Sequence, residues 1–164
     1  MINLKELAKF LVKAKKQTYA GEGKEITPQR PGFKELEYSE NDYDYRDSYS
    51  GFFYAPGQEI VRFKGVPIWS MSYSGGMKKE YHEDVEFAEK VFTFLKKALF
   101  KITEDIPFRG PKHLKEGDFE YINEVEGDIT NFKGHEKILF KGKEVFSQDY
   151  IGGLIVHRRL NEIN

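Results

Sequence analysis

Hydrophobic residues recur every three to four positions in two stretches of the chain, and elsewhere they alternate with polar ones. In the first stretch Leu4, Leu7, Ala8, Leu11 and Ala14 share a stripe that runs to about Lys16, with Asn3 placed as N-cap and Glu6 as its capping-box partner. The second, from about His82 to Lys101, carries Val85, Ala88, Phe92, Leu95, Leu99 and Ile102, and Lys96, Lys97 and Lys101 lie near its end, where the helix dipole favours cations. Between them, Gln17 to Lys34 is interrupted by glycines and prolines and reads as an irregular loop. Glu35 to Glu40 and Tyr43 to Tyr49 then read as strands, the latter with Tyr43, Tyr45, Asp47 and Tyr49 on one face and Asp44, Arg46 and Ser48 on the other.

QEIVRF and VPIWSMSY flank Lys64-Gly65, where glycine readily supplies the positive φ of a two-residue turn, so this stretch is a hairpin. A regular ladder would place Glu59, Val61, Phe63, Val66, Ile68 and Ser70 on one side, and Ile60, Arg62, Trp69, Met71 and Tyr73 on the other. The prolines of TEDIPFRGPKH close the second helix, and Leu154 to Val156 reads as a last short strand.

The stretch from Glu40 to Gly76 also lies over Glu116 to Gly153. Gly57, Glu59, Phe63, Lys64, Gly65 and Tyr73 meet Gly134, Glu136, Phe140, Lys141, Gly142 and Tyr150, which predicts a second hairpin at Lys141-Gly142. The expected fold is therefore α+β, an internally duplicated helix plus antiparallel meander (α-βββ-α-βββ). Its halves would be related by a pseudo-twofold, with the helices packed on the sheet. Residues 1–164 would form one domain of two repeats, about 1–76 and 77–164.

Composition changes this picture only by exclusion. With 26 basic against 27 acidic side chains and a formal net charge of -1, no global field favours nucleic acid or an anionic membrane. The absence of cysteine removes thiolate metal sites and thiol nucleophiles. The N-terminus lacks an apolar h-region and no run approaches the roughly 18 apolar residues of a membrane span, so the expectation is a cytoplasmic protein. Aromatic residues make up 15% of the chain, which suits a sheet with large ring-bearing faces.

No catalytic motif stands out. His82-Glu83-Asp84-Val85-Glu86 begins like a zinc-protease helix but has Glu86 where the second imidazole belongs. The run Glu40, Asp42, Asp44, Asp47 lacks the glycine and terminal glutamate of a calcium loop, and no serine sits in a nucleophile elbow. Neither a metal nor a cofactor is expected. Glu59 and its counterpart Glu136 share a sheet side with aliphatic residues, where a carboxylate must be paired or wet. Arg46, Arg62 and Arg109 are the candidate partners. The first half also keeps polar-tipped groups where the second is blander: Asp47 against Asn123, Tyr49 against Val125, Trp69 against Phe146. A ligand site, if there is one, is thus expected to draw on Tyr45, Asp47, Tyr49, Glu59, Trp69 and Tyr73.

TYAG (Thr18 to Gly21), DYDYRDSYSG (Asp42 to Gly51), GVPIWSMSYSG (Gly65 to Gly75), PFRGP (Pro107 to Pro111) and the late YIGG together resemble a prokaryotic family of unknown function. Its members are often joined to helix-turn-helix regulators of the XRE type. The resemblance implies no activity and no catalytic residues, and by association it points to a sensor. Three classes stay open: a small-molecule-binding or sensor module, an enzyme using Glu59 or Asp47 as acid or base, and an interaction or homodimerisation module.

Overall fold

The structure is a computed structural model and describes residues 2–158. Helix α1 (Leu4–Gln17) precedes strands β1 (Lys34–Glu40), β2 (Tyr43–Tyr49), β3 (Gly57–Phe63) and β4 (Val66–Met77). Helix α2 (Val85–Phe100) is followed by β5 (His113–Glu116), β6 (Phe119–Asp128), β7 (Asn131–Phe140) and β8 (Lys143–Leu154). The fold is α+β, with four strands after each helix rather than three. All eight strands pair antiparallel in one sheet of order β1-β2-β3-β4-β8-β7-β6-β5, so two meanders meet where Trp69 to Met77 pair with Leu154 to Phe146. The expected last strand at Leu154 is only the end of β8, and Ile155 beyond it donates its N–H to the Ile68 carbonyl.

Local chemistry sets the helix starts. The Asn3 side chain accepts hydrogen bonds from the N–H groups of Lys5 and Glu6, and that of Asp84 accepts one from Phe87, so α2 begins at Val85. Its buried face is rotated from the expected stripe: Ala88, Val91, Leu95 and Ala98 touch the core, whereas Val85 is exposed and Phe92 stands on the flank. Small and β-branched residues on that face let the helix approach the sheet closely. Both helices cover the same sheet face. Leu7, Phe10, Leu11 and Ala14 of α1 pack on Tyr45, Val61, Trp69 and Met71, while α2 packs on Met77, Tyr121, Ile138, Val145 and Phe146. Among the described residues no helix is long and apolar enough to cross a membrane.

Both hairpins turn where expected, with positive φ at Lys64 and Gly65 and at Lys141 and Gly142. The ladder beyond the first turn is not regular, because the register shifts between Val61 and Arg62, so Val61 faces Trp69 and Glu59 faces Met71. Pro67, which has no N–H to give the ladder, sits in this bulge. An equivalent shift follows Ile138, opposite Glu144, so the proline accommodates the bulge rather than creating it. The consequence is a correction to the predicted faces: Trp69, Met71 and Tyr73 share the helix-covered side with Tyr45, Asp47, Glu59 and Val61.

On that side the Tyr73 ring occupies the space above Gly57, and the Tyr150 ring that above Gly134, so a Cβ at either glycine would overlap the phenol. We expect Gly134→Ala to lower stability by about 1–3 kcal/mol, the range for overpacking, in urea titrations. An unchanged midpoint would show that the ring is not seated on the glycine.

Candidate functional site

Five charge-bearing side chains are buried under the helices: Lys15 from α1, Asp47 from β2, Glu59 from β3, Arg109 from the segment before β5, and Glu136 from β7. Their placement follows from the segments that carry them. Lys15 follows Ala14 on the inward side of α1, and its stem is walled by Tyr45 and Trp69, whose ring centroids lie 5.8 and 5.9 Å from Nζ. Arg109 is carried inward because Phe108 stacks flat on Phe132 at 3.8 Å. The next residue is held by two hydrogen bonds, Gly110 N–H to the Tyr121 hydroxyl (3.1 Å) and Asn123 Nδ2 to the Gly110 carbonyl (2.9 Å).

Lys15 pairs with Glu59. Arg109 donates Nε and Nη2 to Glu136 Oε1 (2.9 and 2.6 Å), and its Nη1 lies 4.0 Å from Glu59 Oε1. Tyr121 and Gln148 complete the shell of Glu136, at 2.5 and 3.0 Å. Unpaired, any of these charges would carry a desolvation penalty of several kcal/mol. Two cations and two glutamates thus balance. Asp47 is the fifth charge, only 4% exposed, and its one hydrogen bond among the described residues comes from the Tyr73 hydroxyl to Oδ1 at 2.6 Å. Burial first, and the nearby Glu59 second, push its pKa up to about 7. The carboxyl can therefore donate a hydrogen bond when protonated and accept two or more when ionised.

Asp47 also lies on the floor of a cavity of about 430 Å³, with Tyr73, Arg109 and Gln148. Its walls are Tyr19, Tyr49, Phe52, Phe92 and Phe146, and Lys34, Lys96, Glu89 and Thr93 are among the other residues lining it. The loop between β2 and β3 closes one side, its path fixed by hydrogen bonds from Ala55 N–H to the Gly75 carbonyl and from Met77 N–H to the Phe53 carbonyl. Burial pushes the Tyr49 phenol up to about 12, so it stays protonated at neutral pH and can donate.

Of the residues expected at a ligand site, the structure brings Asp47, Tyr49 and Tyr73 together at this cavity. Glu59 lies behind them against Lys15 and Arg109, and Tyr45 forms part of the layer beneath. Trp69 has no exposed surface; it lies under α1, stacks on Phe132 at 5.7 Å and donates its indole N–H to the Ile129 carbonyl. Sequence reading missed Lys15, Tyr19, Phe92 and Gln148. A lysine in the run Lys13-Ala14-Lys15-Lys16 looks solvated, and only its place beside Ala14 on the apolar stripe hints otherwise. Arg109 is a candidate partner for Glu59 by sequence, but its close contact is Glu136. Among the described residues, no group of three or more His, Asp or Glu is placed to hold a metal ion.

Residues 47–155, which contain the cavity floor and the whole Arg109–Glu136 arrangement, match the family described as Domain of unknown function (DUF5680), and the chain belongs to it. No curated protein and no solved structure matches the chain.

Two outcomes follow from the charges. Glu136→Ala leaves the Arg109 guanidinium buried without its carboxylate, an expected loss of about 3–5 kcal/mol in denaturant titration. Adding Arg109→Met should recover part of that loss, and a double mutant no more stable than the single one would contradict the pairing. For Asp47, the folded-state pKa lies above the unfolded one, so between about pH 4 and 7 the folded state holds a proton that the unfolded chain has released. Stability should therefore fall as pH rises through that window. Asp47→Asn should flatten this slope and be more stable than the parent at pH 8; a parental slope in the variant would assign the proton elsewhere.

Proposed function

We propose that the protein is a binding module for a small organic molecule, held in the cavity between α2, the β2–β3 loop and the sheet. The observation that carries this reading is a buried, singly hydrogen-bonded carboxyl at the end of a cavity walled by aromatic rings. Apolar walls supply affinity and a few fixed polar groups supply orientation, the usual division of labour in ligand sites. In this reading Tyr19, Tyr49, Phe52 and Phe92 hold the ligand body, and Asp47, Tyr73 and Gln148 read its polar end. Trp69 and Tyr45 support the floor without touching the ligand. A sensor role beside a helix-turn-helix regulator in prokaryotes is the wider form of the proposal, and it rests on the sequence resemblance alone.

We further propose that the chain is one domain of two copies related by a pseudo-twofold. The symmetric strand order, the two bulged hairpins and the two tyrosines seated on glycines support it. Tyr73 bonds Asp47 as Tyr150 bonds Asn123 (2.7 Å), and Tyr73 and Tyr150 face each other across the join of the two meanders. The copies differ most at the cavity, where the first has the seven-residue connection 50–56 and the second a tight turn at Ile129-Thr130. On this reading, one half keeps the site and the other braces it.

Thr93 is exposed at the cavity rim, so Thr93→Trp can fill the space without entering the core. In a thermal-shift screen of small aromatic and aliphatic compounds, some should raise the melting temperature of the parent and fail to do so in Thr93→Trp, while the unliganded melting temperatures agree. Compounds that stabilise both proteins equally would place binding elsewhere, and a screen without a single hit would count against the cavity.

A further inference from the structure

Resting on the cavity reading above, we infer that the ligand is an organic cation, a protonated amine on an apolar body, whose ammonium group sits against Asp47 and Gln148.

Charges and hydrogen bonds around this cavity lead to that class. Arg109 and Lys15 are matched by Glu136 and Glu59, so neither offers a free positive charge to an anionic ligand. At the mouth, Lys34 lies 3.6 Å from Glu25, and Lys96 lies 3.8 Å from Glu22 with its ammonium 5.2 Å from the centre of the Tyr19 ring. Glu89 at the rim has no ion pair among the described residues. The lining groups left without an opposite charge are thus both carboxylates. Asp47 Oδ2 accepts no hydrogen bond among the described residues, and Gln148, which gives its amide N–H to Glu136, has its carbonyl oxygen likewise without a partner there. An ammonium supplies the donors and the charge together, and the neighbouring ring faces attract cations.

A comparison within the molecule separates the hydrogen bond at Asp47 from its charge. Asn123 takes the same hydrogen bond from Tyr150 that Asp47 takes from Tyr73, also faces a buried glutamate, Glu136, in the next strand, and does so without a charge. The hydrogen bond from Tyr73 would therefore be kept by an asparagine at position 47. What the aspartate adds is an ionisable group, at the only one of these two positions that lines the aromatic cavity. The groups facing it are Lys15 from α1, Tyr19 after α1, Glu59 from β3, Tyr73 from β4 and Arg109 from the segment before β5, with Tyr45 and Tyr49 on its own strand. Their balance leaves the carboxyl at about pH 7 between its two forms, so an arriving ammonium displaces its proton.

The test uses three compounds with one body and three end groups: 4-phenylbutylammonium, 4-phenylbutanol and 4-phenylbutyrate, titrated calorimetrically into the full chain at pH 6, 7 and 8. The ammonium should bind about tenfold or more tighter than the alcohol, as a charge-assisted hydrogen bond predicts, and the butyrate weakest. Its affinity should rise with pH as Asp47 ionises, with proton release seen as a buffer-dependent heat. Asp47→Asn, a change whose outcome the sheet already tolerates at Asn123, should lose that preference and the pH dependence while still binding the alcohol. Equal binding of alcohol and ammonium, or tightest binding of the butyrate, would overturn the cationic class and leave the cavity reading intact. If no compound binds, the cavity reading falls and this inference falls with it.

Discussion

The Arg109–Glu136 ion pair is the constraint on which the rest of this architecture depends. A guanidinium 7% exposed and a carboxylate with no exposed surface cannot stay unpaired, so the segment carrying Arg109 has to be drawn under the helices and held there. Phe108 and Gly110 make that path physically available, one by stacking on Phe132 and the other because a side chain at that position would strike the Tyr121 ring. The pair also reaches toward Glu59, whose second partner is Lys15 on α1. One connected set of charges therefore ties the first helix, the connection after the second helix and strands β3 and β7 together. An all-apolar core would serve stability as well, since a buried pair only offsets its own desolvation.

The cavity is a by-product of that arrangement and of one loop. In the β6–β7 connection the strands continue to Asp128 and resume at Asn131, which leaves nothing to stand over the sheet. The β2–β3 connection instead leaves the ladder after Tyr49, crosses to the end of β4 and returns at Gly57, and Phe52 and Ala55 become part of a wall. Helix α2 supplies the opposite wall through Phe92 because its most buried stripe is rotated toward Ala88, Val91 and Ala98. The same rotation that lets the helix approach the sheet over β6–β8 turns a phenyl ring toward the gap.

Much of the backbone is legible in the sequence because local chemistry determines it: the Asn3 cap, both Lys-Gly turns and the strand limits of β2 follow from residue types and period, whereas the second helix starts at Val85, behind its Asp84 cap, rather than at about His82. Sequence and structure part where one residue shifts a period. The bulge at Val61/Arg62 moves Trp69, Met71 and Tyr73 to the other face, and nothing in VPIWSMSY except Pro67 marks it. The candidate site is legible in part. Asp47, Tyr49 and Tyr73 can be named because they are polar-tipped residues on predicted strands, and the first two differ from their counterparts Asn123 and Val125. Lys15 and Gln148 cannot, since a buried lysine and a solvated one look alike until the segment that covers them is known. Trp69 suggests a binding face by sequence because large apolar area draws attention; in the fold α1 covers that area, and the open space lies instead at Asp47, Tyr49 and Tyr73, walled by other aromatic rings.

The position of Asp47 runs against stability, and this makes it informative. A carboxyl held near pH 7 by burial and by Glu59 weakens the fold at every pH above its unfolded value. The neutral relative of the arrangement, Asn123 with Tyr150, stands on β6 in the same sheet and avoids that loss. An asparagine at position 47 would accept the same hydrogen bond from Tyr73 without that cost, so the charge adds nothing that this hydrogen bond needs. Sites that break a local rule without structural compensation are where function is usually found. The compensation here would come from outside the chain: a cation arriving in the cavity restores the charge balance that Lys15 and Arg109, already matched by their own glutamates, do not provide. Ligand binding and the stability deficit of the empty protein are then two measurements of one interaction.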